Sequence, residues 1–270
     1  MQKSSGFIGC GNMASAIIDA IAKNLQAKIN IFDVDSDKTA RYQGEANVFS
    51  ACQAMVDASD IVVIAVKPAN CKSALNGIDF SGKIILSIMA GVTVATIKAV
   101  TLSKTDKIVR VMPNLNARFA QSFSGYCQEG LDDEEIADIE TVLGCFGSFS
   151  RVTKDKINVV TGIAGSGPAF VYKFIKSLAD AGVNNGLDFD SALDMAITTV
   201  LGSCLAVKNT ENPDLNNMIS AVCSKGGTTI AGINVLNERD FEGIVNECVN
   251  SAISRAEEMS KEYERSNDIH

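Results

Sequence analysis

The sequence predicts an α/β N-terminal domain, doubly wound around a mostly parallel sheet, followed by an all-α C-terminal domain. Three observations predict it. Short Ile- and Val-rich runs alternate with helical stretches through the first half, as in a parallel sheet covered on both faces. The first run leads into Gly9-Cys10-Gly11-Asn12-Met13-Ala14, a G-x-G-x-x-A turn that opens a helix. From about residue 152 the β-rich runs stop and long helical patterns take over. The division therefore falls between 1–152 and 153–270.

Strands are expected at 6–8, 28–32, 61–66, 84–87 and 108–111, with helices between them at 13–24, 36–42, 51–58 and 94–100. After the first strand, Gly9 permits a tight turn and Gly11 a close approach of backbone to a pyrophosphate. Ala14 is small enough for the helix to pack on the strand, and amides at the helix start face the phosphates. Asp33 ends the second strand, where an acid accepts from ribose hydroxyls and repels a 2′-phosphate. Ser36, Lys38 and Arg41 follow, as phosphate ligands or as solvated residues of a helix start. Two loops after later strands, Val66-Lys67-Pro68-Ala69-Asn70 and Val111-Met112-Pro113-Asn114, fall where ligands sit in open α/β sheets. There Lys67 and Asn114 are expected to project over the sheet's carboxyl edge. The acidic start of 132–145 reads as favourable charge at a helix N-terminus and not as a metal site.

In the second half, helices are expected at 166–184, 190–207, 228–237 and 240–264. Ser166 is a candidate N-cap and Pro168 suits a first helical turn. The preceding glycines serve either close packing or a backbone platform near a nicotinamide. Residues 191–207 are apolar or small on nearly every face, so this helix is buried either locally or against a second copy of the chain. Ser224-Lys225-Gly226-Gly227-Thr228-Thr229 leads into the 228–237 helix. It is an anion pocket built from amides, or an ordinary glycine-rich cap.

Composition removes several classes. The net charge of −8 disfavours nucleic acid and anionic membranes. No run of 18 apolar residues suggests a membrane span. The eight cysteines form no Cys-x-x-Cys and lie near no histidine, so no metal is expected, and reduced thiols in a cytoplasmic protein are. The N-terminus lacks the apolar stretch of a signal peptide. The only histidine is His270, read as a frayed terminus, which leaves no imidazole for catalysis.

The segment VCSKGGTTIAGINVLN at 222–237 resembles the signature of pyrroline-5-carboxylate reductases. IGCGNM at 8–13, AVKP at 65–68, VMPN at 111–114, GSGPAF at 165–170 and LADAG at 178–182 follow the family's order. The chain departs from the family pattern with Lys225 for a usual proline and Phe170 for a frequent tyrosine. The resemblance implies a Rossmann-like domain, a helical dimerisation domain, and a homodimer that often assembles further. It also implies reduction of 1-pyrroline-5-carboxylate to L-proline by NADPH or NADH, the last step of proline synthesis. On that reading Ser224, Lys225, Gly226, Gly227, Thr228 and Thr229 bind the substrate carboxylate, and Thr229 hydrogen-bonds the ring nitrogen as the catalytic residue. Gly9, Gly11, Asn12, Met13 and Asp33 hold the cofactor, with Ala65, Val66, Lys67, Pro68, Asn114 and Ser166. The competing readings are a β-hydroxyacid dehydrogenase and a non-enzymatic nucleotide sensor. The former resembles the chain at 162–167, but its catalytic lysine would fall at Val171.

Overall fold

In a computed structural model of the chain, residues 3–102 and 105–266 are described; His270 lies outside them. One eight-stranded sheet runs through the first part of the chain. Its strands are β1 (Ser5–Ile8), β2 (Ile29–Phe32), β3 (Asn47–Val48), β4 (Ile61–Ile64), β5 (Ile84–Ser87), β6 (Ile108–Met112), β7 (Ser122–Glu129) and β8 (Gly147–Arg151). They lie in the order β3-β2-β1-β4-β5-β6-β7-β8. Every pairing is parallel except β6 with β7. The order reverses beside β1, whose neighbours are β2 and β4; ligands bind at such a crevice.

The register explains the unbroken apolar runs. Phe7 lies beside Ile31 and Val63, and Val63 beside Leu86; all four are buried on one face with Ile17 and Ile21 of the helix Asn12–Asn24. Ile8, Val62, Ile64, Ile85 and Ile108 face the other way and pack with Met55, Leu75 and Phe80. With both faces dry, alternation of polar and apolar residues disappears.

The five expected strands are present. The sequence reading did not anticipate β3, β7 and β8. β3 has two residues; β7, SFSGYCQE, and β8, GSFSR, hold no Ile or Val. β8 is an edge strand and partly exposed, so its side chains were never under pressure to be uniformly apolar. The acidic helix Asp133–Gly144 starts with a capping box. The Asp132 carboxylate accepts from the Glu135 N–H at 2.9 Å, and the Glu135 carboxylate accepts from the Asp132 N–H at 3.3 Å.

Two compact units emerge: residues up to Pro168 together with those from Ser251 onward, and Ala169–Asn250. This differs from a division at 152. The segment after β8 stays with the sheet, where Asn158 lies 3.4 Å from the buried Arg110 of β6. The last turns of the helix Phe241–Ser266 return to the same unit, where Thr93 Oγ1 donates to Glu264 at 3.3 Å and Tyr263 packs on the core.

The second unit is helical. It comprises most of Gly167–Asn184, then Phe189–Asn209, Leu215–Ala221, Thr228–Glu238 and the start of Phe241–Ser266. The helix Phe189–Asn209 is capped by Asp188, which accepts from the Ser191 N–H at 2.9 Å. Only Ala192 and Ala196 of this helix are buried, and Met195 and Leu201 are more than half exposed. The other helices of its own unit therefore do not bury this helix, which was one of the two sequence alternatives. By length and composition alone it is long and apolar enough to cross a membrane, which no unbroken apolar run had suggested.

Candidate active site

The carboxyl end of β1 builds one candidate site, within the first unit. Gly9 donates its N–H to the Phe32 carbonyl at 2.8 Å and has a φ of +96°. A Cβ there would lie 3.0 Å from the Ala65 oxygen, so backbone conformation and space both demand glycine. Gly11 caps the helix Asn12–Asn24 without any side-chain bond. A Cβ on Gly11 would meet nothing within 4 Å. The first amides of a thirteen-residue helix thus face open space, with the positive end of its dipole behind them. Asn12 is exposed, Met13 half-buried, and Ala14 packs in the core. This chemistry fits a dinucleotide pyrophosphate.

Asp33 closes the loop from the side. One carboxylate oxygen accepts from the Cys10 N–H at 2.7 Å and the other from the Asp35 N–H at 2.9 Å. Asp33 therefore positions the glycine turn. Its side chain is 8% exposed, and the Lys38 ammonium lies 3.7 Å away. Burial, then the charge of Asp33, pushes the Cys10 thiol up to about 12. Cys10 stays protonated at neutral pH and is no nucleophile, despite its place in the loop.

At the end of β4, Ala65 donates to the Ile8 carbonyl at 2.9 Å, and Ala65 and Val66 line the turn against Gly9. Lys67 is exposed and precedes the short turn Pro68–Asn70. Asn114 follows β6 but does not project freely, contrary to the sequence expectation. It is buried; its amide donates to the Ala164 carbonyl at 2.9 Å and its oxygen accepts from the Asn116 N–H at 3.0 Å. Asn114 ties the 161–165 segment to the sheet edge. That segment is a turn of π-helix, Thr161–Gly165. Ser166 continues it with φ −87° and ψ −25° and bonds back to the Thr161 carbonyl at 2.9 Å. Ser166 is not an N-cap, because the π turn carries the chain into the helix Gly167–Asn184 with no break to cap.

The second unit carries the other candidate segment. Ser224, Lys225, Gly226 and Gly227 form a reverse turn closed by the Gly227 N–H on the Ser224 carbonyl at 2.9 Å. Gly226 has φ +73°, as a type II turn needs at its third residue. Gly227 caps the helix Thr228–Glu238 without a side-chain bond. Thr228 and Thr229 are exposed in its first turn. The helix start has no side-chain cap, which is common to both sequence alternatives, the anion pocket and the glycine-rich cap.

The sequence reading missed two pairs. Asp19 and Arg41 form a bidentate ion pair at 2.8 Å, with Arg41 over the Tyr42 ring. Asn158 accepts from Arg110. A lone arginine in the apolar strand IVRVM was a legible signal for the second. Nothing in the spacing of Asp19 and Arg41 announced the first.

Fold and glycine turn together define a dinucleotide-binding oxidoreductase scaffold joined to a helical unit. Comparison with known proteins narrows this. Residues 154–259 match the family described as pyrroline-5-carboxylate reductase dimerisation, and residues 4–91 match NADP oxidoreductase coenzyme F420-dependent. The pyrroline-5-carboxylate reductase of Aquifex aeolicus (strain VF5) is 39% identical, covering 94% of this chain and 96% of its own. That of Escherichia coli (strain K12) is 34% identical, covering 97% and 100%. A Plasmodium falciparum pyrroline carboxylate reductase solved with NADP bound superposes with a TM-score of 0.88 at 28% identity, covering 96% and 99%. The chain belongs to the pyrroline-5-carboxylate reductase family.

Proposed function

We propose that the chain reduces 1-pyrroline-5-carboxylate to L-proline with NADPH or NADH, the closing step of proline synthesis, as a cytoplasmic homodimer. The observation that carries this reading is the turn at Gly226, which leaves the start of the helix Thr228–Glu238 uncapped within the family's dimerisation segment. Amides from Lys225 to Thr229, with Ser224 beside them, hold the substrate carboxylate. Thr229 hydrogen-bonds the ring nitrogen and strengthens that bond as the nitrogen becomes an amine. Reduced nicotinamide supplies the hydride for the C=N carbon.

The first unit's residues bind and orient. Gly9, Gly11, Asn12 and Met13 receive the pyrophosphate, and Asp33 meets the ribose. Ala65 to Pro68 wall the crevice. Asn114 and Ser166 act by holding the 161–166 segment in place. A protonated imine is already electrophilic, so this work is chiefly orientation, which accounts for roughly 7–11 kcal/mol of a barrier. A chain without a catalytic imidazole suffices.

The exposed apolar helix Phe189–Asn209 lies inside the segment matching the dimerisation family. We assign it to a second copy and not to lipid, since it carries Asp190, Asp194 and Lys208. Dimers can assemble further through other surfaces. Eight free cysteines suit a reducing compartment.

Thr229→Ala tests the reading. Turnover with pyrroline-5-carboxylate should fall roughly 10²–10³-fold, while dinucleotide affinity is unchanged. Turnover close to the parent's would remove Thr229 from the mechanism. Oxidation of the cofactor by β-keto acids and not by the cyclic imine would replace the proposal with a hydroxyacid dehydrogenase.

A further inference from the structure

The ribose corner of the glycine-loop site holds two cations, and both are already taken. Arg41 places Nη2 at 2.8 Å from each carboxylate oxygen of Asp19, on the helix Asn12–Asn24. Its guanidinium also lies 4.5 Å above the ring of Tyr42, which is itself buried. Lys38 sits 3.4 Å from Asp35 and 3.7 Å from Asp33. Asp37 adds a further carboxylate in the same short helix. Three carboxylates, Asp19, Asp33 and Asp35, thus pair with two cations.

A 2′-phosphate brings roughly −1.5 to −2 charges near neutral pH. To pair with it, Arg41 must leave both Asp19 and the Tyr42 face, and Lys38 must leave two aspartates. The displaced carboxylates would then stand unpaired beside the incoming anion. A neutral ribose hydroxyl meets no such obstacle. Each Asp33 oxygen holds one backbone N–H and has a lone pair left to accept a hydroxyl.

We infer that Asp19 and Asp35 are specificity-determining residues: by occupying Arg41 and Lys38 they make this chain prefer NADH over NADPH. This rests on the proposed reading that the glycine loop binds a nicotinamide dinucleotide. A relative solved with NADP bound shares 28% of its residues with this chain, which leaves ample room for a different ribose corner. Neither aspartate touches the cofactor. Asp19 acts through Arg41 and Asp35 through Lys38.

The test is equilibrium binding of NADH and NADPH to the full chain, followed by the fluorescence of the reduced nicotinamide. Adenosine 5′-monophosphate and adenosine 2′,5′-bisphosphate serve as competitors that isolate the ribose corner. The parent should bind NADH about tenfold more tightly than NADPH, and Asp19→Asn with Asp35→Asn should shift that ratio by about tenfold towards NADPH. The shift should come from NADPH, with NADH affinity unchanged. Asparagine at 35 still caps the Ser36–Ala40 helix, which Asp35 now caps through the Asp37 N–H. Adding Arg41→Gln to the double variant should cancel much of the gain. Parent preference for NADPH, or a ratio that the double substitution leaves in place while both dinucleotides bind, overturns this inference alone. Failure of either dinucleotide to bind the parent overturns the cofactor reading, and this inference with it.

Discussion

The two units handle apolar surface in opposite ways. The first buries both faces of its sheet, and Phe7, Ile31, Ile61, Ile85 and Val109 are sealed from solvent. The second seals only Ala179, Ala192 and Ala196 into a cluster, with Ile175 and Leu193 against it. Tyr172, Phe189, Met195, Leu201, Ile244 and others remain a third to two-thirds exposed. A helical unit of this kind lacks a layer, and its residues are apolar where the layer should sit. The difference teaches that the first unit is stabilised from within, whereas the second leaves apolar surface exposed inside the segment that matches the dimerisation family.

The largest effect follows from breaking that missing layer. Leu201→Glu with Leu205→Glu places carboxylates on the exposed face of the Phe189–Asn209 helix. Each buried leucine is worth about 1.5–3 kcal/mol, and both copies lose two, so self-association should be abolished. Sedimentation velocity should show one-chain mass, and the parent's dependence of melting midpoint on protein concentration should vanish. A variant that sediments like the parent would place the partner surface elsewhere.

A core change in the first unit should behave differently. Leu86 lies on β5 and is 2% exposed. Leu86→Ala should cost about 2–5 kcal/mol and leave the sedimenting mass alone. The loss should be equal at low and high protein concentration. If it grew on dilution, the sheet too would depend on assembly, and the contrast between the units would weaken.

The same contrast decides what was legible in the sequence. Where burial is complete, composition carries much of the fold: β4, β5 and β6 were plain as Ile/Val runs, and β1, Ser-Gly-Phe-Ile, was marked instead by the Gly9 and Gly11 turn that follows it. Where a strand is half-buried, as β8 is, Gly-Ser-Phe-Ser-Arg gives no such signal. The 191–207 helix declared itself apolar all round, but sequence alone could not tell a local partner from a second copy. At the candidate sites, Gly9 and Gly226 were legible because a positive φ restricts them, and Gly11, whose backbone is extended, because it completes the G-x-G-x-x-A spacing. Asn114 and Ser166 were read as candidate site residues, yet their hydrogen bonds were not foreseen, since these depend on the π turn between Thr161 and Gly165 that no spacing predicts. Asp33 was assigned to a ribose, and its bond to the Cys10 N–H appears only once the two strand ends are side by side.

The smallest effect concerns a buried charge of the first unit that has no anion beside it in the sheet. Arg110 is 5% exposed on β6. Beside it in register are Ser87 of β5 and Cys127 of β7, neither an anion at neutral pH. Its Nε has no partner among the described residues, and its Nη2 donates to the neutral amide oxygen of Asn158 at 3.4 Å. Burial lowers its pKa from the ordinary guanidinium value, which the Cys127 sulfur partly counters. The side chain nevertheless stays charged at any working pH, so at neutral pH its burial costs stability. Asn158→Asp puts a carboxylate of the same shape against it, and a hydrogen bond between charged groups is worth about 1.5–3 kcal/mol. The denaturant midpoint should rise at pH 7 with the slope unchanged. The new carboxyl would titrate below its unfolded value of about 4, so the gain is full above that pH and is lost as acid protonates it. A fall in stability at pH 7 would mean that desolvating the new carboxylate outweighs the pairing. Arg110 is thus a group that one isosteric substitution can mend, whereas the apolar exposure of the second unit extends along whole helices, within the segment that matches the dimerisation family.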